Sequence, residues 1–157
     1  MKIKLPEKKL QDIYNTTVDY MLSSDMFSNN AYVYYPPTIE ECPTCIGFNS
    51  FGCPDCSGGG RIEVEKKELV RLRIHFSGRL SFNKQNLKRI GINVEHPTGD
   101  VLTLGHLADL PKILACNYIS FFESQDHQLY HYRLSGSPAP YGFGRSDYFY
   151  AIWERVK

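Results

Sequence analysis

Apolar and polar residues follow two different periods along this chain, which predict one helix followed by a set of β-strands. Residues 6–24 carry apolar side chains at the three- and four-residue spacing of an amphipathic helix. Pro6 suits the first turn of this helix, and Glu7 complements its positive N-terminal end. The predicted apolar face comprises Leu10, Ile13, Tyr14, Val18, Met21 and Leu22. We expect this face to pack on the core; the alternative is that it packs against a neighbouring subunit.

The clearest strand runs from Val70 to Phe76, where every second residue is apolar. The predicted inward-facing residues are Val70, Leu72, Ile74 and Phe76, and the predicted outward-facing residues are Arg71, Arg73 and His75. The two arginines would form a short basic stripe on the outer face. That stripe is either a solvated strand face or a contact for a subunit or a phosphate group.

Other β-prone stretches are distributed over the whole chain and are separated by turn signals. The predicted strands are 31–35, 61–65, 101–104, 118–122, 129–134 and 148–156, and the predicted turns are 28–30, 97–100 and 126–127. Segment 107–116 is predicted to be a short or broken helix because Pro111 interrupts it. Residues 83–91 are predicted to be a loop or helical turn, and residues 135–145 a Gly/Pro loop. The predicted fold class is mainly β: a barrel-like α+β domain.

Four cysteines occupy two Cys-x-x-Cys turns, Cys42/Cys45 and Cys53/Cys56, separated by a seven-residue link. Two such turns present four thiolates to one tetrahedral ion, and glycines after each turn let the backbone bend around it. The pattern predicts zinc, with iron as the alternative metal. Two disulfides would require an oxidising compartment, and a redox pair would require only one such turn. Four cysteine ligands leave no open coordination position, so the metal is expected to be structural.

Length and composition are those of one globular domain. The chain has 157 residues, of which 42% are hydrophobic, and we predict a single domain over 1–157 with a zinc-finger insertion at 38–60. Its formal charge of +1 becomes about −1 with four thiolates and one Zn²⁺ bound, which gives no global attraction to nucleic acid or an anionic membrane. The start, MKIKLPEKKL, lacks an apolar run of signal-peptide length. We therefore expect the chain to fold in a reducing cytoplasm.

No pattern of catalytic residues is found in the sequence. The histidines His75, His96, His106, His127 and His131 are scattered, and no metalloprotease, nucleophile-elbow or phosphate-loop motif is present. Cys116 has no basic neighbour, which predicts a small buried hydrophobic side chain. We predict no enzymatic activity, no catalytic residue and no organic cofactor. About half of the aromatic residues lie at or beyond Tyr118, as expected either for a protein interface or for a tyrosine-rich core.

The second cysteine turn, CPDCSGGG, resembles the Cys-x-x-Cys-x-Gly-x-Gly repeat of DnaJ-type chaperones. The first turn, CPTCIGFN, matches that repeat as far as Gly47. The resemblance covers about twenty residues and includes neither a J domain nor an array of four repeats. It therefore implies a metal-binding role for the four cysteines and no chaperone activity.

The order of features over most of the chain resembles the neck proteins of tailed bacteriophages, the head-closure or head–tail connector proteins. The features are the N-terminal helix, YVYYPPTIEECPTC, CPDCSGGGRIEVE leading into VRLRIHF, GDVLTLGHLADLPKILACNYI and PYGFGRSDYFYAIWERV. The resemblance implies a small β-barrel that forms a homo-oligomeric ring beneath the portal, seals the DNA channel and docks the tail. Implied partners are portal, adaptor and tail proteins. Genomic DNA would be contacted at most non-specifically, and no membrane would be bound. The implied location is the virion neck, after assembly in the host cytoplasm.

The second hypothesis is a zinc-ribbon protein that binds nucleic acid or regulates expression. The cationic residues Lys66, Lys67, Arg71 and Arg73 favour this hypothesis. The near-neutral net charge argues against it, because nucleic-acid binding draws mainly on an excess of positive charge. An enzyme ranks third.

Overall fold

A computed structural model describes residues 6–45, 51–76, 101–122 and 128–156 of the chain. Several predictions fall outside these described residues. They are Gly47, the loop at 83–91, His96, the turn at 97–100, the turn at 126–127 with His127, and the side chain of Phe76.

The described chain begins with one helix and continues mainly as antiparallel strands. The helices are α1 (Glu7–Ser23) and α2 (Leu110–Ala115), with a 3-10 turn at Leu107–Asp109 before α2. The strands are β1 (Asn29–Tyr34), β2 (Thr38–Glu41), β3 (Arg61–Val64), β4 (Lys67–Phe76), β5 (Val101–His106), β6 (Tyr118–Phe122), β7 (Leu129–Leu134), β8 (Ala139–Tyr141) and β9 (Tyr148–Arg155). Pro111 lies in the first turn of α2, where its missing N–H has no cost.

Six strands form a closed antiparallel barrel in the order β5-β4-β1-β6-β7-β9, and the barrel closes because β9 also pairs with β5. β9 pairs with β5 along one edge, and its other edge pairs first with β8 and then with β7. Closure leaves these six strands without a free edge. The predicted fold class, mainly β and barrel-like with an N-terminal helix, is confirmed.

Alternate residues of every barrel strand fill the interior, as the period of two requires. The buried cluster consists of Ala31, Val33, Val70, Leu72, Val101, Ile113, Ile119, Phe121, Tyr132, Phe149, Ala151 and Trp153. The rings of Phe121 and Tyr132 stack with centroids 4.6 Å apart. The indole Nε1 of Trp153 donates to the Thr103 hydroxyl at 2.8 Å, so both buried polar groups are satisfied. Ile113 brings α2 into the same cluster.

Gly105 in β5 faces the interior where two large side chains meet. A Cβ at this position would lie 2.8 Å from both Leu72 Cδ2 and Phe149 Cε1. Phe149 is also the residue paired directly with Gly105 across β5 and β9. The absent side chain therefore provides the space that the Phe149 ring fills.

Helix α1 packs on the outside of the barrel through a narrow stripe. Val18 and Leu22 are buried against Tyr148, whose hydroxyl donates to Asp19 Oδ1 at 2.9 Å. Leu10 and Ile13 were predicted on the same stripe, but they are 40% and 56% exposed. The prediction was wrong for these two because, at 100° per residue, Ile13 lies about 140° around the helix from Val18 and Leu10 about 120° from Leu22.

The arginines of β4 face α1 and are not a free basic stripe. Arg71 forms an ion pair with Asp25, and its Nε donates to the buried Ser28 hydroxyl at 2.8 Å. That hydroxyl also donates at 2.8 Å to the carbonyl of Leu22, which lies in the last turn of the helix, where carbonyls have no partner within the helix. Arg73 lies against Met21 of α1. The predicted solvated face is therefore wrong for these residues, because α1 covers this side of β4.

Five of the eleven aromatic residues at or beyond Tyr118 are fully buried. Phe121, Tyr132, Tyr148, Phe149 and Trp153 are all buried, which favours the tyrosine-rich core over the interface for these five. The segment 135–145 was predicted to be only a loop, but it contains β8. A proline within β8 is tolerated because, among the described strands, β8 pairs only with β9 and is therefore an edge strand of the described sheet.

We expect Gly105→Ala to lower the free energy of unfolding by about 1–3 kcal/mol, because the added methyl group would overpack the Phe149 site. Gly136→Ala is the matched control. Its added Cβ would meet nothing within 4 Å, so its effect should stay within about 0.5 kcal/mol. Urea unfolding of both variants measures the difference. Equal stability of the two variants would contradict the packing described for β5.

Candidate metal centre

The two cysteine turns lie at the tip of a finger, defined here as residues 38–64, that continues the β1–β4 hairpin. Strands β2 and β3 pair antiparallel from Thr38↔Val64 to Glu41↔Arg61. The prolines at 36 and 37 interrupt the ladder because they have no N–H. Three residues separate Tyr34 from Thr38, whereas two separate Val64 from Lys67. The extra residue shifts the register between barrel and finger.

Each turn is shaped by backbone hydrogen bonds beside its cysteines. The Cys42 N–H donates to the Gly60 carbonyl at 3.0 Å, so the ladder continues one residue beyond β2. In the second turn, Ser57, Gly58 and Gly60 have positive φ values of 49°, 85° and 71°. This conformation lets the Gly60 N–H donate to Cys56 Sγ at 3.2 Å. Glycine suits two of these three positions because it has no Cβ to clash in the left-handed region.

The structure brings together the four cysteines singled out from the sequence, Cys42, Cys45, Cys53 and Cys56. Their sulfur atoms all lie within 4.8 Å of one another. Cys42 Sγ and Cys53 Sγ are 3.8 Å apart, and Cys45 Sγ and Cys56 Sγ are 3.6 Å apart. A tetrahedral ion with metal–sulfur bonds of about 2.3 Å requires sulfur–sulfur distances of about 3.8 Å. The four sulfurs are therefore compatible with one metal ion.

The surroundings of the thiols affect their protonation in opposite directions. Burial, together with the hydrogen bonds that the Cys45 thiol shares with the other thiols, raises the pKa of Cys45 to about 12. Burial also opposes ionisation of Cys56, but the N–H groups of Gly60 and Gly58 and the neighbouring thiols outweigh it and lower that pKa to about 7. A metal ion requires all four as thiolates, so its binding must displace protons.

A hydrogen bond between side chains ties the two turns together beside the sulfur cluster. The Thr44 hydroxyl donates to Asp55 Oδ2 at 2.5 Å, and each residue lies between the two cysteines of its turn. Cys42 and Cys45 are buried, whereas Cys53 and Cys56 are half-buried. Cys116 lies elsewhere, at the end of α2, where its thiol contacts the Ile113 carbonyl at 3.1 Å. Burial raises the Cys116 pKa to about 11, which is typical of an unreactive thiol.

The cationic residues proposed for nucleic-acid binding are engaged within the chain. Lys66 forms an ion pair with Glu40 at 3.0 Å, and the Lys67 ammonium lies 5.3 Å from the centroid of the Tyr32 ring. As described above, Arg71 and Arg73 contact the helix α1 and the turn after it. The structure does not gather these four side chains into one exposed basic surface.

One polar groove between α1 and the barrel was missed by the sequence interpretation. It is lined by Asn15, Asp19, His106, Arg145, Asp147 and Tyr148, among others. His106 Nδ1 lies 3.8 Å from Asp19 Oδ1, and Asn15 Nδ2 donates to Asp147 Oδ2 at 3.2 Å. These residues are far apart in sequence, so no local motif could have identified the groove. Among the described residues, only the four cysteines form a cluster that could hold a metal ion.

Comparison with protein-family models, with curated proteins and with solved structures finds no match to this chain. None of the helices in the described residues has the length and apolar character needed to cross a membrane.

We expect the reduced protein to contain about one metal ion per chain, and Cys53→Ser to lose it because a tetrahedral site needs all four donors. Cys116→Ser is the matched control, since this cysteine lies outside the cluster. Elemental analysis of freshly purified protein measures the metal, and circular dichroism checks that the barrel of the Cys53→Ser variant remains folded. A metal-free wild-type protein, or equal metal in both variants, would refute the site.

A second prediction concerns acid stability. Burial, reinforced by the nearby Arg73 guanidinium, lowers the pKa of His75 from 6.5 to about 4. Between these two values the unfolded chain binds more protons than the folded one, so this histidine makes stability fall as the pH falls from about 6.5 to 4. His75→Gln should remove that contribution. Thermal unfolding of wild type and variant at several pH values measures it: their difference in stability should change across this window and stay constant above it.

Proposed function

We propose that this chain is a structural virion protein of a tailed bacteriophage, a head-closure component of the neck that links portal to tail and seals the DNA channel. The observation that carries the proposal is the closed six-stranded barrel preceded by an amphipathic helix. A small β-barrel is the architecture that the resemblance to neck proteins implies. The proposed form is a homo-oligomeric ring, because a ring provides an axial channel.

We propose zinc as the ion held by Cys42, Cys45, Cys53 and Cys56. A closed four-thiolate site suits zinc or iron, and zinc has no redox chemistry to disturb a purely structural role. The proposed task of the ion is to fix the shape of the finger before it docks, which lowers the ordering cost of association. Elemental analysis together with visible absorption separates the two metals, because a ferric tetrathiolate site is coloured and a zinc site is colourless.

A structural role is proposed in place of catalysis. The metal cluster offers no open position for a substrate, since four cysteines complete a tetrahedral shell. The proposed partners are portal or adaptor proteins on one side of the ring and tail proteins on the other. Contact with the genome in the channel would be non-specific, since the near-neutral chain has no excess of cationic residues to bind phosphates.

The proposal is tested by locating the protein in particles. Mass spectrometry of purified virions should detect several copies of the chain per particle, and antibody labelling should place it at the junction of head and tail. The matched control is an abundant non-structural protein of the same infection, which should be absent from the particles. A chain that is plentiful in infected cytoplasm and absent from virions would favour the regulatory zinc protein instead.

A further test addresses nucleic-acid binding. We expect weak binding that is independent of sequence and falls as salt rises, because the cationic side chains are few and engaged in contacts within the chain. Fluorescence anisotropy with duplex and single-stranded oligonucleotides measures the affinity. Sub-micromolar, sequence-specific binding at physiological salt that Lys67→Ala abolishes would reverse the order of the two hypotheses.

A further inference from the structure

One side of the barrel remains uncovered by α1. The helix packs on β4 and near Leu104 and Tyr148 of β5 and β9, whereas the outer surfaces of β1, β6 and β7 carry no helix of the described chain. We call this surface the aromatic face. It comprises Leu69, Tyr32, Tyr34, Tyr118, Phe122 and His131, which are brought side by side by the pairings of β4, β1, β6 and β7.

The aromatic face combines exposed apolar area with cationic residues. Leu69 and Phe122 are 55% and 58% exposed, and the rings of Tyr34 and Tyr118 stack with centroids 4.5 Å apart. Lys67 lies over the Tyr32 ring. Arg133, also on the outer surface, is exposed and makes no ion pair within the described part of the chain. A contiguous exposed patch of this kind typically marks a partner surface.

The finger is mainly negatively charged, whereas Lys67 and Arg133 of the aromatic face are cations. The finger also has an exposed apolar side chain of its own. Ile39 pairs directly with Glu63, and Glu41 with Arg61, so these four side chains share one face of the β2–β3 ribbon. Ile39 is 68% exposed because a two-stranded ribbon has no core to cover it. Among the described elements, β2 and β3 contact mainly each other and make few contacts with any barrel strand.

Charge complementarity selects the occupant of the aromatic face. The finger has four carboxylates, those of Glu40, Glu41, Asp55 and Glu63, and one cation, Arg61, which gives −3 before any metal is bound. The other described residues, 6–37, 65–76, 101–122 and 128–156, sum to +1, and two of their cations, Lys67 and Arg133, lie on the aromatic face. These two cations attract the carboxylates of a finger that belongs to another copy of the chain.

We propose that the exposed face of the finger docks on the aromatic face of a second copy of this chain. Ile39 packs against the apolar side chains of that face, and Glu41 and Glu63 approach Lys67 and Arg133. The contact joins two different surfaces, so repetition gives a closed ring or an open filament. This inference rests on the proposed function, because it names the contact between neighbouring subunits of the proposed ring.

A single-stranded nucleic acid is the less favoured occupant, although it too binds aromatic and cationic surfaces. Glu65 accepts a hydrogen bond from the Tyr118 hydroxyl at 2.9 Å, which places a carboxylate at one edge of the face. Glu154 lies directly opposite Arg133 across β7 and β9. A polyanion has only negative charge to offer these carboxylates, whereas the finger also presents Arg61 on the same ribbon face as Glu41 and Glu63.

The first experiment uses zero-length cross-linking of the full chain with its metal bound. Equal amounts of ¹⁴N- and ¹⁵N-labelled protein are mixed and treated with a carbodiimide, which joins a carboxylate to a lysine. Peptides that link Glu41 or Glu63 of one isotope to Lys67 of the other are expected. Cross-links at these residues only within one chain, or none, would overturn the inference and leave the location of the protein in virions to decide the proposed function.

The second experiment uses charge reversal. Glu63→Lys and Arg133→Glu should each weaken self-association about tenfold, because each places like charges together. Mixing the two variants should restore it, since each finger then meets a face of opposite charge. Lys9→Glu, an exposed change on α1, is the control and should associate as wild type does. Sedimentation velocity measures the three variants, the mixture and the wild type.

Two outcomes of the charge-reversal experiment would overturn the inference. One is wild-type association of both single variants, in which case another surface joins the ring and the proposed function still stands. The other is a mixture that remains dissociated. Single-stranded oligonucleotide binding that Arg133→Glu abolishes, together with no cross-links between chains, would assign the aromatic face to nucleic acid.

Discussion

The pairing of β9 with β5 is the contact on which the rest of the structure depends. Without it the sheet would be open, with β5 as a free edge and the interior exposed to water. The same pairing sets Phe149 opposite Gly105 and brings Trp153 to the Thr103 hydroxyl. It also places Tyr148 where α1 packs, so helix docking follows from closure.

The finger is stabilised by different interactions from those of the barrel. Its ribbon has no buried core, and the prolines at 36 and 37 interrupt the hydrogen-bond ladder that would otherwise join it rigidly to β1 and β4. Its order depends on the turns around Cys42 and Cys56 and on the Thr44–Asp55 hydrogen bond, and an ion bound by the four sulfurs would add to it. The barrel and the finger are therefore held by separate sets of contacts.

Local patterns in the sequence were enough to predict most strands, α1 and the cluster of four cysteines, because period and spacing are properties of short segments. Contacts between distant segments were not predictable in this way. Arg71 was predicted on the outer face, either solvated or in contact with a subunit or phosphate, since nothing near it in sequence indicates that Asp25 and Ser28 meet it. Likewise, the polar groove around His106 arises only when α1 and the barrel come together. Barrel closure itself joins β5 to β9 across more than forty residues.

The long segment between Tyr34 and Lys67 affects how the chain folds, because these two residues pair directly across β1 and β4. Bringing together the ends of a flexible loop of this length costs about 3 kcal/mol of chain entropy. An ion that joins the two cysteine turns early restricts this loop before β1 meets β4, and so shortens the search for the central hairpin of the barrel. The metal supply during synthesis would then determine how long unpaired strands stay available for aggregation with other chains.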